Sequence, residues 1–347
     1  MADKAPRAPA LFPELPVSLD ELPEGLHSLS AQGCNACHYE VHDGWAESDH
    51  ANSALAIPNA SPLCTSCHLP LQSQQSVLLE EYGGGALNTA ITKENPHWDA
   101  TLASEGVTCA ACHVREDVVV GTRPAPGAPH PVAVSDELSS SEVCSACHQL
   151  TTPGASEPLY DTYGEWSRSQ FPAVGVRCQD CHMPPRSGLV TAGRYEAHAD
   201  HALSSELSRA VSIFLTTPPV LQRGEPVELD LVITNTGAGH SVPTGSPFVG
   251  LRLEVQVVLD ADDEETGEAL GDPFQHMLQR HVSPDPPYAI GEDTRLHAGA
   301  SLELTPVLDL PYDGGSGPGA VEVRLVRVAG DGSEEVEHIR RFVVEVR

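Results

Sequence analysis

The pattern Cys-x-x-Cys-His occurs five times in this chain of 347 residues and takes up all ten of its cysteines. The copies are Cys34-Asn-Ala-Cys37-His38, Cys64-Thr-Ser-Cys67-His68, Cys109-Ala-Ala-Cys112-His113, Cys144-Ser-Ala-Cys147-His148 and Cys178-Gln-Asp-Cys181-His182. Two thiols three positions apart can each add to one vinyl group of a haem, and the His that follows reaches the iron axially. Five motifs with no cysteine left over therefore predict five covalently attached haem c groups. Other uses of the pattern fit less well. A zinc site takes about four ligands, and neither an odd number of pairs nor a His fixed after every second Cys follows from zinc. Disulfides within each motif would close loops too small to constrain the unfolded chain, and a thioredoxin-type pair belongs in a βαβ context and is not repeated outside one.

The spacing also limits the architecture. First cysteines follow one another at intervals of 30, 45, 35 and 34 residues, too short for a separate domain around each haem, so the haems must pack together. Aromatic residues make up only 5% of the chain, against 29 Gly and 30 Pro. Before residue 205 there is little sustained apolar periodicity. Such a polypeptide buries too little apolar surface to fold unaided, and flat porphyrin faces would supply the missing core. Residues 1–30, with Pro6, Pro9, Pro13, Pro16 and Pro23, read as an extended arm or tether. Residues 31–204 are expected to form a pentahaem domain of loops and short α-helices, punctuated by Pro-rich stretches at 123–131 and 153–158.

Past residue 205 the pattern changes to period-2 alternation. Val227, Leu229, Leu231 and Ile233 alternate with polar residues, as do Leu251, Leu253, Val255, Val257 and Leu259; further runs lie near 211–217, 301–308, 320–328 and 338–346. Residues 205–347 are thus predicted to be an all-β, Ig-like sandwich of about seven strands. The expected whole is a multidomain protein, with an N-terminal loop/α-helical multihaem domain followed by this sandwich.

A formal net charge of −30 argues against nucleic acid and anionic membrane surfaces, and favours solubility and basic partners. No run approaches the ~20 apolar residues of a membrane helix; the most apolar, Phe248 to Leu259, is broken by Arg252 and Glu254. The opening Met1-Ala-Asp-Lys-Ala-Pro-Arg7 lacks the apolar core of a signal peptide. Covalent haem attachment of this kind follows export, so the numbered chain is expected to be a mature or trimmed form, located in the periplasm or outside the cell.

Twelve of the 17 histidines lie outside the motifs, more than enough to give every iron a second axial ligand. His50 sits in Trp45-Ala-Glu-Ser-Asp-His50-Ala51, read as a short helical stretch. His130 stands between Pro129 and Pro131, which hold it extended and rigid. His198 and His201 are one helical turn apart and can share a face. His240 lies in Thr236-Gly-Ala-Gly-His240-Ser-Val-Pro-Thr-Gly245, a loop between strands whose glycines are expected to bring the backbone close to a haem edge. That loop lacks the Lys and following helix of a phosphate cradle. His42 and His97 stay open between ligand and surface, while His276, His281, His297 and His338 read as solvated or hydrogen-bonded residues of the β half. Met183 follows a motif His directly and cannot bend back to the same iron. Bis-His irons of low potential are therefore predicted.

Several stretches together carry a resemblance: Trp45-x-x-Ser48-x-His50-Ala51, Glu105-Gly-Val-Thr-Cys109, Ala128-Pro-His130-Pro-Val132, Cys178-Gln-Asp-Cys181-His182-Met-Pro184, Gly239-His240-x-x-Pro-Thr-Gly245 and Asp293-Thr-Arg-Leu296. With these the chain resembles the multihaem c-type cytochromes related to the tetrahaem electron carrier of the hydroxylamine-oxidation pathway, in versions with an added C-terminal β domain. It has five motifs where that carrier has four haems. The resemblance implies His50, His130 and His240 as distal ligands and electron transfer between redox protein partners as the role, with no catalytic residue. Two alternatives remain from the residues themselves: a reductase of a small oxidised nitrogen or sulfur compound at one five-coordinate haem, and a self-associating protomer of a haem-lined filament.

Overall fold

The computed structural model describes residues 10–12, 14–19, 21–56, 61–82, 90–259, 267–283 and 288–347. Pro6, Pro9 and Pro13 of the Pro-rich stretch lie outside the described residues. The chain divides into two compact units, one made of Met1–Pro158 with Pro172–Ser205, the other of Leu159–Phe171 with Glu206–Arg347. The segment 159–171, between the fourth and fifth motifs, thus belongs with the C-terminal residues.

The first unit corrects the expectation of a loop/α-helical domain. Its motifs do sit on short helices, and the longest helix among the described residues, Tyr39–Ala46, has eight residues. Between the helices, however, the chain forms small sheets. Val77–Tyr82 pairs with Ala90–Glu94, Val114–Arg115 with Val118–Gly121 and on to Val132–Val134, and Pro185–Thr191 with Arg194–Ala199. The β-branched runs Val118-Val-Val120 and Val132-Ala-Val134 favour extended backbone. Among the described residues strand outweighs helix.

The core of this unit is small: Val17, Leu71, Leu102, Ala110, Ala111 and Val114, with partly buried Phe12, Leu15, Leu19, Leu26, Leu29 and Val107 against it. Leu11 and Val17, from the stretch read as a free arm, are buried, and Val17 N–H donates to Pro70 O at 2.7 Å. Buried amides do much of the remaining holding. Gln74 Nε2 donates to Leu102 O and Gly106 O, Gln75 Nε2 to Thr65 O and Leu69 O, and Asn95 Nδ2 to Gln72 O and Gln75 O. Carbonyls at the ends of short helices and in the loops between them gain an acceptor bond this way, which ties irregular backbone together where it is buried.

In the second unit a β-sandwich is present. A five-stranded sheet runs Glu268–Leu278, Gly250–Leu259, Gly317–Val328, Glu334–Val346 and Val220–Leu221, and a three-stranded sheet runs Ser301–Leu304, Asp230–Asn235 and Val211–Thr216. Inward-facing Leu251, Leu253, Val255 and Val257 meet Val321, Val323 and Leu325 of the neighbouring strand and Leu231 and Ile233 of the other sheet in one buried cluster. Each such side chain, fully buried, contributes about 1.5–3 kcal/mol. The strand read over 227–233 is two: Pro226–Glu228 pairs with Val307–Asp309, and Asp230–Asn235 pairs within the three-stranded sheet. Twelve strands are described in this unit instead of about seven, because turns interrupt the longer runs.

Candidate functional site

Each Cys-x-x-Cys pair lies on or just beyond a helix turn, so both thiols of a pair share a face. The helices are Ala31–Asn35, Pro62–His68, Cys109–His113, Glu142–His148 and Cys178–His182. In the first motif, the turn continues past the helix, with Cys37 N–H and His38 N–H both donating to Cys34 O. All ten cysteines are free. The thiols of Cys34 and Cys109 share a hydrogen bond, as do those of Cys67 and Cys147 and those of Cys144 and Cys178. Sharing a proton pulls Cys67 down to about 7 and Cys178 to about 6, and pushes their partners up. Cys112 in turn lies within electrostatic reach of Cys144 and Cys147. The fourth motif is therefore the neighbour of the second, third and fifth, and the third is the neighbour of the first.

Four motif histidines are oriented alike. The Nδ1 atoms of His38, His68, His113 and His182 lie 2.6, 3.0, 2.8 and 3.2 Å from the carbonyl oxygens of Val190, Ser53, Val120 and Ser204. A carbonyl only accepts, so Nδ1 carries the proton and Nε2 keeps the lone pair that binds a metal. The rings of His50 and His148 are centred 6.2 Å apart, and so are those of His113 and His201. Two metal–nitrogen bonds of about 2 Å each, with the half-width of each ring, also come to about 6 Å. His201 Nδ1 is bound to Ala199 O at 2.9 Å, which frees its Nε2 as well. Burial lowers the pKa of His50, His113 and His130, and of His201 to about 4. All four are neutral at pH 7, as ligation requires.

His50 is held by a loop pinned at both ends. Trp45 Nε1 donates to Val107 O at 2.9 Å, and Val107 N–H donates to His50 O at the same distance. Gly106 makes this possible: at φ +63° a Cβ there would stand 2.5 Å from His50 O. His50 lies in turns beyond the helix Tyr39–Ala46, not on a helical stretch as read from the sequence. His130 is within electrostatic reach of His38, has a buried Nδ1 with no partner, and adjoins an open cavity of about 470 Å³ lined by Pro124, Pro126, Pro129, Pro131 and Val132. His198 and His201 do not share a helix face: His198 is on the strand Arg194–Ala199 and His201 follows it. The ring of His198 faces Gly188, with its Nε2 buried and unpartnered. Of the undecided pair, His42 stacks at a tilt on Trp45 at 5.5 Å, and His97 is an exposed residue whose N–H is held by Asn95.

Among the described residues no group of three or more His, Cys, Asp or Glu side chains forms a metal-ion cage; the metal chemistry on offer is that of paired rings. The residues fit haem groups on three counts: thiol pairs on one face, imidazoles whose Nδ1 is turned to a backbone carbonyl, and orphaned buried nitrogens at His130 and His198. No family model matches the chain, and no curated protein is similar enough to count as a match. Among solved structures, a CARDB domain from Pyrococcus furiosus in complex with di-metal ions is 12% identical over 40% of this chain and 87% of that one, with a TM-score of 0.23. The C-terminal domain of Wzt is 12% identical over 40% and 74%, at 0.24. AvmM, which catalyses macrocyclization in alchivemycin A biosynthesis, is 13% identical over 40% and 89%, at 0.26. Likenesses this slight carry no argument for this chain.

His240 belongs to the second unit, on the loop between Asp230–Asn235 and Gly250–Leu259. Its Nδ1 donates to Ser241 O at 3.0 Å, and Asn235 Nδ2 holds its carbonyl at 2.8 Å. The loop glycines have a packing reason within this unit. A Cβ on Gly237 would stand 1.9 Å from Arg209 O, and one on Gly239 would stand 2.9 Å from Trp166 Cδ1 and 3.2 Å from Phe171. Glu165, which sequence reading missed, supports the same loop; its signal was the aromatic run Tyr160, Tyr163, Trp166 and Phe171, out of keeping with the motif region around it.

Proposed function

We propose that the chain is a pentahaem c-type cytochrome that relays electrons between redox partners. The observation that carries this is the pairing of His50 with His148 and of His113 with His201 at the same 6.2 Å, each pair joining a motif histidine to one outside the motifs. Cys34 and Cys37, Cys64 and Cys67, Cys109 and Cys112, Cys144 and Cys147, and Cys178 and Cys181 would hold the five groups covalently. His38, His68, His113, His148 and His182 would ligate the irons on one side. His50 and His201 would complete the fourth and third, and His130 the first; His198, whose Nε2 is buried and unpartnered, is a further candidate ligand. Haem iron supplies one-electron exchange. The protein's part is to cap each iron, so that small molecules are kept off, and to hold neighbouring motifs in contact from the first to the third, the third to the fourth, and the fourth to the second and fifth. An exported protein in the periplasm or outside the cell follows from covalent attachment, and an acidic surface suits basic partners.

No helix among the described residues is long and apolar enough to cross a membrane. The test is a haem count by the pyridine adduct together with carbon monoxide binding to the reduced protein. Five haems per chain with no iron open to the gas is the expected result. A chain without covalent haem would overturn the proposal, and one readily opened iron would turn it toward the reductase alternative.

A further inference from the structure

Three of the four motif rings oriented by a carbonyl find that acceptor close by in the chain. His68 meets Ser53, His113 meets Val120 and His182 meets Ser204, at separations of 15, 7 and 22 positions. His38 instead reaches across 152 positions, to Val190 O at 2.6 Å. Val190 lies in the hairpin of Pro185–Thr191 with Arg194–Ala199, where the pairing register shifts between Leu189 and Thr191 and passes over it. A residue left unpaired in this way bends the strand and re-aims its groups. The hairpin is held at this point by Glu40, two positions after His38, in the first turn of Tyr39–Ala46. Glu40 Oε2 accepts the Leu189 N–H at 2.6 Å. Gly188 leaves room for that contact, since a Cβ there would stand 2.7 Å from Glu40 Oε2 and 3.0 Å from His198 Nε2. All of these residues belong to the first unit.

The start of one helix thus grips two successive residues of a distant strand, one with a carboxylate and the next with a ring. Packing a helix on a hairpin needs neither bond. A ligand imidazole does need its Nδ1 proton held, because that bond sets the plane of the ring and raises the basicity of the nitrogen that meets the metal. A more basic axial ligand favours the oxidised iron and so a lower potential. We propose that Glu40 is a positioning residue, which by holding the Leu189 N–H keeps Val190 O on His38 Nδ1, and thereby fixes the ring as an axial ligand and lowers the potential of the first iron. This rests on the reading of His38 as a ligand.

Two holoproteins separate the reach of Glu40 from its charge. Glu40→Asp keeps the carboxylate on a shorter side chain, whereas Glu40→Gln keeps the length and an acceptor oxygen without the charge. Each is read against the parent by haem count and by a spectroelectrochemical titration of every haem. Glu40→Asp should load as many haems as the parent and raise the potential of one, with the others in place; Glu40→Gln should match the parent throughout. Gly188→Ala, whose Cβ would crowd the same Oε2, should raise the same potential, and it carries the test where Glu40→Asp fails to fold. A rise in Glu40→Gln with none in Glu40→Asp would mean that the charge acts directly, and the positioning role would be wrong. It would be wrong as well if no variant moved any potential, or if the rise in Glu40→Asp were spread over several haems. In each of those cases the haem count leaves the reading of the motifs standing. A parent without covalent haem would end that reading, and the proposal with it.

Discussion

The two units solve the problem of an interior in different ways. Among the described residues, the buried cluster of the second unit holds 24 hydrophobic side chains, whereas that of the first holds six, two of them alanines. The first unit fills its interior instead with amides that bond to backbone carbonyls, with thiols that touch in pairs and with histidines turned to backbone carbonyls. In the proposed reading, the flat apolar faces of the haems would stand between these polar frames and supply the burial that so small a core lacks. The second unit needs nothing of the kind. The unit proposed to hold the haems is thus the one that its own side chains support least.

The largest effect should come from withholding haem. In full-length chain made without haem attachment, limited proteolysis read by mass spectrometry should cut throughout 31–158 and leave 206–347 protected. Protection of both would remove the contrast. Next, Leu253→Ala, at a position 0% exposed, should cost the second unit about 2–5 kcal/mol in a denaturant melt. The Soret spectrum should not change, and a spectral change would show that the haems depend on this core.

Glu322 probes the sandwich differently. It is fully buried and accepts from Arg324 Nε and Arg341 Nε, each at 2.7 Å. Burial works to raise its pKa, but the two arginine bonds outweigh it and hold the carboxyl below its ordinary value. A depressed carboxylate contributes stability above its unfolded pKa and loses it as pH falls through the folded one. Melts of the second unit should therefore weaken below about pH 4. Glu322→Gln should cost about 1–3 kcal/mol at pH 7 and flatten that acid limb; an unchanged limb would assign it to other carboxylates, such as Asp293, whose pKa is also lowered. The smallest effect belongs to His50→Ala. It should leave folding intact and open a single haem of five to carbon monoxide, with imidazole restoring it; no opening would separate His50 from His148 as a ligand pair.

The five motifs stand out in the sequence because their spacing repeats whatever the fold around them. The strand Gly250–Leu259 could be read for a different reason: buried and half-exposed positions alternate from Leu251 to Val257. Glu268–Leu278 went unseen, because Gly271-Asp-Pro273 reads as a turn, although the strand absorbs it opposite the irregularity between Val255 and Val257. Hairpins such as 185–199 were missed because short strands leave little periodicity to find. That cost the placement of His198, assigned to a helix it does not occupy. The restraint on the backbone at His50 and at His130 was legible from their tryptophan and proline neighbours, whereas the link from Glu165 to Ser241 and Arg295 was not, since nothing local announces a carboxylate whose partners are 76 and 130 positions away.

The route of the chain also sets an order in time. Synthesis delivers residues 159–171 before any of the strands they pack with, and the fifth motif, Cys178 to His182, emerges between these two parts of one unit. Glu165 and Trp166 must wait, unpartnered, until the loop at 237–244 and Arg295 have been made. Throughout that interval the fifth motif hangs in an open span of chain. Once Arg295 meets Glu165, the span becomes a closed loop.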